Sequence, residues 1–344
     1  MTSAPAFPAR FADAEQLEDF MTTPSPALVE ELAQVPGDLM VMGIGGKMGP
    51  TLARLAKRAA PARRVVGVAR FSEPGLRERL ESWGIECLPC DLLDGAALAR
   101  LPELPNLVFM AGHKFGASDN PALTWASNTG LPFAVADRFR QSRTIAFSTA
   151  CVYPFVPVDG PGAPESLAMD PPGEYALTCV GREHMFGYGS RRHGTPGRLM
   201  RLSYAIDMRY GVLHDVASLV LRGEPVDVTM GTVDVIWQGD ANEQTLRLLN
   251  HCTTPTSPIN VSGARHTSVR WLAEQFGVRF GKKPQITGRE AGTAWLVDTS
   301  EAQRLFGPPR VSIEQLVDWT AHWLLDGGSS FHKATHFEAR DGKY

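Results

Sequence analysis

Gly43, Gly46 and Gly49, in the run Gly43-Ile44-Gly45-Gly46-Lys47-Met48-Gly49, stand at Gly-x-x-Gly-x-x-Gly spacing. Glycine at these places allows a tight turn, lets backbone approach a pyrophosphate and seats a helix N-terminus against its charge. The chemistry this suggests is the holding of a dinucleotide, with Gly45, Lys47 and Met48 in the same loop. A cofactor with a free 2'-hydroxyl calls for Asp or Glu after the second strand, and here the chain reads Val68-Ala69-Arg70. Arg70 and Lys47 both suit a 2'-phosphate, so NADP is favoured over NAD; the alternative is an arginine solvated at a strand end. Asp91, followed by Leu92, is placed to accept from an adenine amino group or to cap the next helix. Cys87 and Cys90 have the spacing of a redox or metal pair, but no second ligand pair lies near. Two positions on one strand account for them, and no metal is expected.

These residues need a scaffold, and the pattern around them supplies one. Asp38 to Met42 is a short apolar run, followed after the glycines by Thr51-Leu52-Ala53-Arg54-Leu55-Ala56 at helical period. Residues 64–69, 85–90, 107–110 and 144–147 read as further strands, and 76–83, 118–140 and 175–188 as helices. Such alternation predicts an α/β fold: a Rossmann doubly wound parallel sheet over 38–197, with a smaller C-terminal substrate lobe over 198–344. That second stretch holds strand candidates at 199–202, 226–230 and 259–261, some returning to the Rossmann sheet. Residues 1–37 read as an N-terminal extension with one short helix after Ser25-Pro26. The Pro- and Gly-rich stretch 154–172 reads as an ordered loop over the site's mouth. The formal net charge of -3 offers no basic field for nucleic acid, and no run approaches the ~20 apolar residues of a membrane span. Five cysteines, an odd set, read as reduced thiols, and the start of the chain does not resemble a secretory signal. A cytoplasmic protein is expected, with neither nucleic acid nor membrane as partner.

Three further motifs carry a resemblance. Phe109-Met110-Ala111-Gly112-His113-Lys114 resembles a fourth-strand segment that lines the cofactor. Phe147-Ser148-Thr149-Ala150-Cys151-Val152-Tyr153 resembles a Ser/Thr strand that precedes a catalytic helix. Tyr175 stands about as far beyond it as a catalytic tyrosine does, with Glu183 further along the helix. Together with the glycines, these motifs resemble the extended short-chain dehydrogenases/reductases, the NAD-dependent epimerase/dehydratase group. The match covers most of the chain after Gly37.

That resemblance implies that Tyr175 moves a proton at a hydroxyl or carbonyl while hydride passes to or from nicotinamide. It places Thr149 at the substrate, Ala111, Gly112 and His113 along the cofactor, and Tyr153, Tyr204 and Arg209 near the substrate, and it implies a homodimer. The chain departs from the family at the lysine one turn after the tyrosine, where it has Cys179; no lysine occurs between Lys114 and Lys282. Lys114 is the first substitute for that cation, acting on Tyr175 and the cofactor, and Arg182 the second. Val233 replaces an arginine that grips nucleotide-sugar phosphates, and Tyr204 replaces a substrate-contacting asparagine. A small sugar, polyol or ketone, uncharged or carboxylated, is therefore expected rather than a nucleotide sugar. Arg201 and Arg209 suit a carboxylate or a buried ion pair equally. The competing reading is a dinucleotide-binding sensor that has lost the chemistry.

Overall fold

The computed structural model describes residues 7–114, 116, 117 and 119–342. Seven strands build the main sheet: β1 (Leu39–Met42), β2 (Val65–Ala69), β3 (Glu86–Pro89), β4 (Asn106–Phe109), β5 (Arg143–Thr149), β6 (Gly197–Leu202) and β7 (Ser257–Val261). Their order is β7-β6-β5-β4-β1-β2-β3, and every pairing is parallel. The apolar run Leu39-Met40-Val41-Met42 is buried throughout, as a strand covered on both faces must be. Strand order reverses at β1, with β2 on one side and β4 on the other. The crevice beyond the carboxyl ends of such strands is where open α/β sheets bind ligands.

The helices come in chain order. α1 (Ala14–Met21) and α2 (Pro26–Ala33) precede the sheet; α3 (Gly49–Ala59), α4 (Leu76–Ser82) and α5 (Gly95–Arg100) link its first strands. α6 (Pro121–Trp125) runs through a π-turn, Ala126–Gly130, into α7 (Leu131–Arg138), where the sequence suggests one helix from Ser118, itself outside the described residues. α8 (Glu174–His193) packs beside them. Its glycines allow close approach: a Cβ on Gly181 would lie 2.4 Å from Thr129 Oγ1, and one on Gly189 2.7 Å from Ala136 Cβ.

The C-terminal half adds α9 (Val212–Arg222), α10 (Gln238–Arg247), α11 (Val269–Phe280), α12 (Ser300–Phe306) and α13 (Ile313–Leu325). α9, α11 and α13 enclose a second apolar core around Trp237, Phe276 and Trp319, while Ala241, Leu246 and Ala302 pack into the first core under the sheet. The loop after β5 is pinned to this half: Val156–Pro157 pairs antiparallel with Thr293–Ala294.

The N-terminal segment carries two helices rather than one. The missed start signal at α1 is a reciprocal cap, in which Gln16 N donates to Asp13 Oδ1 at 2.8 Å and Ala12 N to Gln16 Oε1 at 2.6 Å. Leu28 and Leu32 of α2 enter the core under the sheet, whereas Phe11, Leu17 and Met21 enter the second core. Trp319 Nε1 donates to Pro8 O at 2.7 Å, so residues near both ends of the chain meet. Among the described residues no helix is long and apolar enough to cross a membrane, and no group of three His, Cys, Asp or Glu could hold a metal ion.

Candidate active site

The glycine loop joins β1 to α3 at the reversal of strand order. Gly43 has φ +84°, and a Cβ there would lie 2.6 Å from Ala111 N, so both conformation and space demand glycine. Gly49 is a packing glycine, since a Cβ would stand 2.3 Å from Ile44 O. Gly45 and Gly46 differ: a Cβ on either would meet nothing nearer than 3.5 Å and would enter the cleft instead.

That cleft encloses about 480 Å³. Gly43, Gly45 and Gly46 form its floor, and Ala69, Arg70, Phe71 and Ser72 one wall. Asp91 and Leu92 lie at its far end, and Ala111, Gly112 and His113 opposite. Phe71 is left-handed at φ 52°, an uncommon conformation for a bulky residue that bends the chain directly after Arg70. Asp91 Oδ1 accepts from Leu93 N at 3.0 Å, and the cap of α5 is Asp94, whose Oδ1 accepts from Ala96 N and Ala97 N. Cys87 and Cys90 are free thiols on and just after β3; burial pushes Cys87 up to about 11.

Lys47 does not join Arg70. Its ammonium donates to Ala205 O at 2.6 Å and lies 4.7 Å from the Tyr210 ring centroid, outside the lining of the cleft that Arg70 faces. Burial lowers its pKa to about 8, with Lys114 and Arg209 adding like charge and Asp207 opposing. Met48 is buried in the core, so only its backbone belongs to the loop surface.

Asn128, in the π-turn between α6 and α7, organises the loop after β4. Its Oδ1 accepts from His113 N and Arg182 Nη2, both at 2.8 Å, and its Nδ2 donates to His113 O at 2.8 Å and Thr178 Oγ1 at 3.0 Å. The residue is fully buried, and these four partners satisfy it. Gly112 allows the arrangement, because a Cβ there would lie 2.5 Å from Arg182 Nη2. Sequence reasoning missed Asn128; the only signal was a polar side chain on a helix that packs on both sides.

At the inner end, Tyr175 in the first turn of α8 hydrogen-bonds the Cys179 thiol one turn later. Burial raises the Tyr175 phenol well above its usual range; the neighbouring thiols push the same way, and Arg182 opposes. Burial likewise lowers Lys114. Lys114 Nζ stands 5.9 Å from the Tyr175 ring centroid, over the face, while Arg182 is the cation whose charge favours the phenolate. The order of substitutes expected from the sequence is thus reversed for the hydroxyl. Thr149 ends β5, and its Oγ1 accepts from Cys151 N at 3.2 Å. Cys151 and Tyr210 lie near enough to Tyr204 to raise its phenol further after burial.

Two expected substrate residues are committed elsewhere. Tyr153 is buried; its hydroxyl donates to Asn260 Oδ1 at 2.9 Å and accepts from Arg201 at 2.6 Å. Arg209 is buried against Asp207 (2.7 Å), which pairs with it through two nitrogens, and against Glu18 of α1 (2.7 Å). Neither can turn to a ligand without stranding a buried polar partner. Arg201, left open by the sequence, forms a buried ion pair with Glu183 at 2.7 Å, and Glu183 also accepts from Ser148 Oγ.

No family model matches the chain, and no curated protein matches it. Solved structures do. UDP-glucose 4-epimerase of Thermotoga maritima, with UDP-glucose, is 18% identical with a TM-score of 0.69, over 84% of this chain and 99% of that one. The dTDP-glucose 4,6-dehydratase of Bacillus anthracis, with NAD, is 13% identical with a TM-score of 0.72, over 84% and 97%. UDP-glucuronic acid 4-epimerase of Bacillus cereus, with UDP-glucuronic acid and NAD, is 18% identical with a TM-score of 0.69, over 84% and 99%. The chain has the Rossmann fold of these epimerases and dehydratases.

Proposed function

We propose that this protein is an NAD(P)-dependent enzyme acting on a hydroxyl or carbonyl centre of a small sugar, polyol or related substrate. The observation that carries this reading is a cleft whose floor is open glycine backbone and whose wall ends in the loop that bears Lys114, against Tyr175. A Cβ on Gly45 or Gly46 would fill the place a pyrophosphate needs, so the residues present fit a dinucleotide. Arg70 and Ser72 suit a 2'-phosphate and support NADP; Glu73, on the same wall, suits a 2'-hydroxyl and supports NAD.

A bound nicotinamide accepts or donates hydride at a carbinol carbon. Tyr175 holds the proton. With its phenol raised well above the usual range it is neutral near pH 7, which suits giving a proton to a carbonyl oxygen better than taking one from an alcohol. Thr149 supplies a hydroxyl beside that oxygen. Reduction, or the returning half of an epimerisation, is thus the favoured direction.

A nucleotide sugar is disfavoured by Val233, which is 1% exposed where the resemblance calls for a phosphate-gripping arginine, and by the commitments of Arg201 and Arg209. A second reading, a dinucleotide sensor without turnover, is favoured by the Tyr175–Cys179 contact in place of a tyrosine–lysine pair. Phe133, Leu177 and Tyr188 are exposed on α7 and α8 and supply an apolar face for a homodimer. Five free thiols accord with a reducing cytoplasm.

The test is mass spectrometry of any nucleotide that co-purifies, followed by turnover with NADPH and NADH on a panel of keto sugars, ketones and uronates. Dinucleotide retention with turnover supports the enzyme; retention without turnover across the panel supports the sensor. Failure to bind either dinucleotide overturns both.

A further inference from the structure

One side chain in the cleft comes from far along the chain. Lys333, in the irregular segment after α13, lines the same cavity as Gly45, Gly46 and Arg70. The segment is tied down on both sides of it. Before it, Ser330 Oγ meets His214 Nε2 at 3.1 Å, Phe331 N donates to Arg209 O at 3.1 Å, and the Arg209 guanidinium lies 4.7 Å from the Phe331 ring centroid. After it, Thr335 donates twice to Asp215 Oδ2, from N at 2.8 Å and Oγ1 at 2.6 Å, and Phe337 is buried in the second core.

Both sets of ties end in the first turn of α9 or just before it. Between them residues 332–334 are exposed, and the middle one, Lys333, lines the cleft that the glycine loop also lines. His332 and His336, which flank the excursion, are left-handed at φ 52° and 53°. Two non-glycine residues in that region cost free energy, and such outliers persist where surrounding contacts over-determine the backbone, often at ligand clamps. The solved structures cover 84% of this chain but 97–99% of their own, so this chain carries segments that they lack.

We propose that the segment after α13 is a strap that sets the Lys333 ammonium on the pyrophosphate of the bound dinucleotide, making cofactor retention depend on a residue outside the Rossmann half. This rests on the dinucleotide reading of the cleft. Among the described residues the charged groups that line the cavity are Arg70 and Lys333 against Glu73 and Asp91, so without Lys333 the acids outnumber the cations. An ammonium is a compact point charge that suits a phosphate, and the site beside Gly45 and Gly46 is where backbone alone would otherwise carry the pyrophosphate charge.

The experiment begins with calorimetry of the unaltered protein with NAD+ and NADP+, because failure to bind either overturns the cleft's reading and the strap with it. Where binding is found, Lys333→Ala weakens NAD+ and NADP+ by the same factor, about tenfold, and Lys333→Arg restores most of it. A loss confined to NADP+ would put the ammonium on the 2'-phosphate, and no loss would take it out of the site; either overturns the strap while leaving the cleft's reading intact. Limited trypsin digestion gives a second readout free of activity. Cleavage after the exposed Lys333 slows severalfold with saturating NAD+ if the side chain is engaged, and an unchanged rate contradicts the proposal.

Discussion

A phenol that is neutral at pH 7 behaves as an acid, and this sets what Tyr175 can do. Tyr175→Phe is expected to lower turnover roughly 100- to 10,000-fold with dinucleotide affinity little changed, measured by steady-state kinetics and calorimetry. Lys47 makes a different prediction. Its pKa falls from 10.5 to about 8 on folding, so between those values the unfolded chain binds more protons and the contribution to stability rises with pH. Below pH 8 the amine is charged in both states and its full burial cost is present. Lys47→Met is therefore expected to stabilise the protein at pH 7 by on the order of 1–3 kcal/mol, and the gain to shrink toward pH 10, read from urea unfolding at the two pH values. Spacing in the sequence brought Arg70, Asp91 and Ala111–His113 together with the glycine loop, because parallel strands end at one edge of the sheet and these residues follow their ends in a single cleft. It misplaced Tyr153 and Arg209 because their partners Asn260 and Glu18 are more than 100 positions away.

At the scale of elements, the glycine loop separates binding from folding. Gly46→Val adds a side chain to open cleft and is expected to abolish dinucleotide binding with the melting temperature of the free protein nearly unchanged. Gly43→Val adds one at positive φ against Ala111 N and is expected to cost several kcal/mol of stability as well, read by thermal unfolding of both variants without ligand. Equal melting losses in the two would contradict the geometry. The seven parallel strands were legible as short apolar runs between glycine or polar breaks, all except the register and order that tertiary packing decides. The π-turn at residues 126–130 was not legible. Ser127-Asn128-Thr129-Gly130 is a weak helix-forming run, which marks a soft place in a helix but shows neither a widened turn nor that Asn128 turns inward toward His113 and Arg182. α1 was hidden for a simpler reason: eight residues hold too few apolar positions to show a period.

For the whole molecule, assembly and closure matter. Phe133 and Tyr188 stack with their centroids 6.3 Å apart on the outer face of α7 and α8, with Leu177 exposed a few turns away along α8. Apolar groups grouped in this way mark a surface that another chain can cover. Light scattering is expected to give twice the 37.4 kDa chain mass, and the double variant Phe133→Glu, Tyr188→Glu the single mass. A single mass for the unaltered protein at tens of micromolar would remove the homodimer. The return of a strand from the second half to the sheet was expected, whereas the packing of α10 into the first core and the division of the N-terminal helices between the cores depend on contacts far apart in sequence.

That division has a consequence for how the chain is made. Phe11, Leu17 and Met21 are synthesised more than 200 positions before Trp237 and Trp319, which cover them; the bond from Trp319 to Pro8 spans 311 positions. α2 can settle once the sheet has formed, but α1 must wait, its apolar face open to solvent, until α13 has been synthesised. Contacts of this span slow folding, and surface left uncovered meanwhile invites aggregation. The apolar face of α1 is thus where a chaperone would hold the nascent chain, and α13 is the latch whose arrival closes over it.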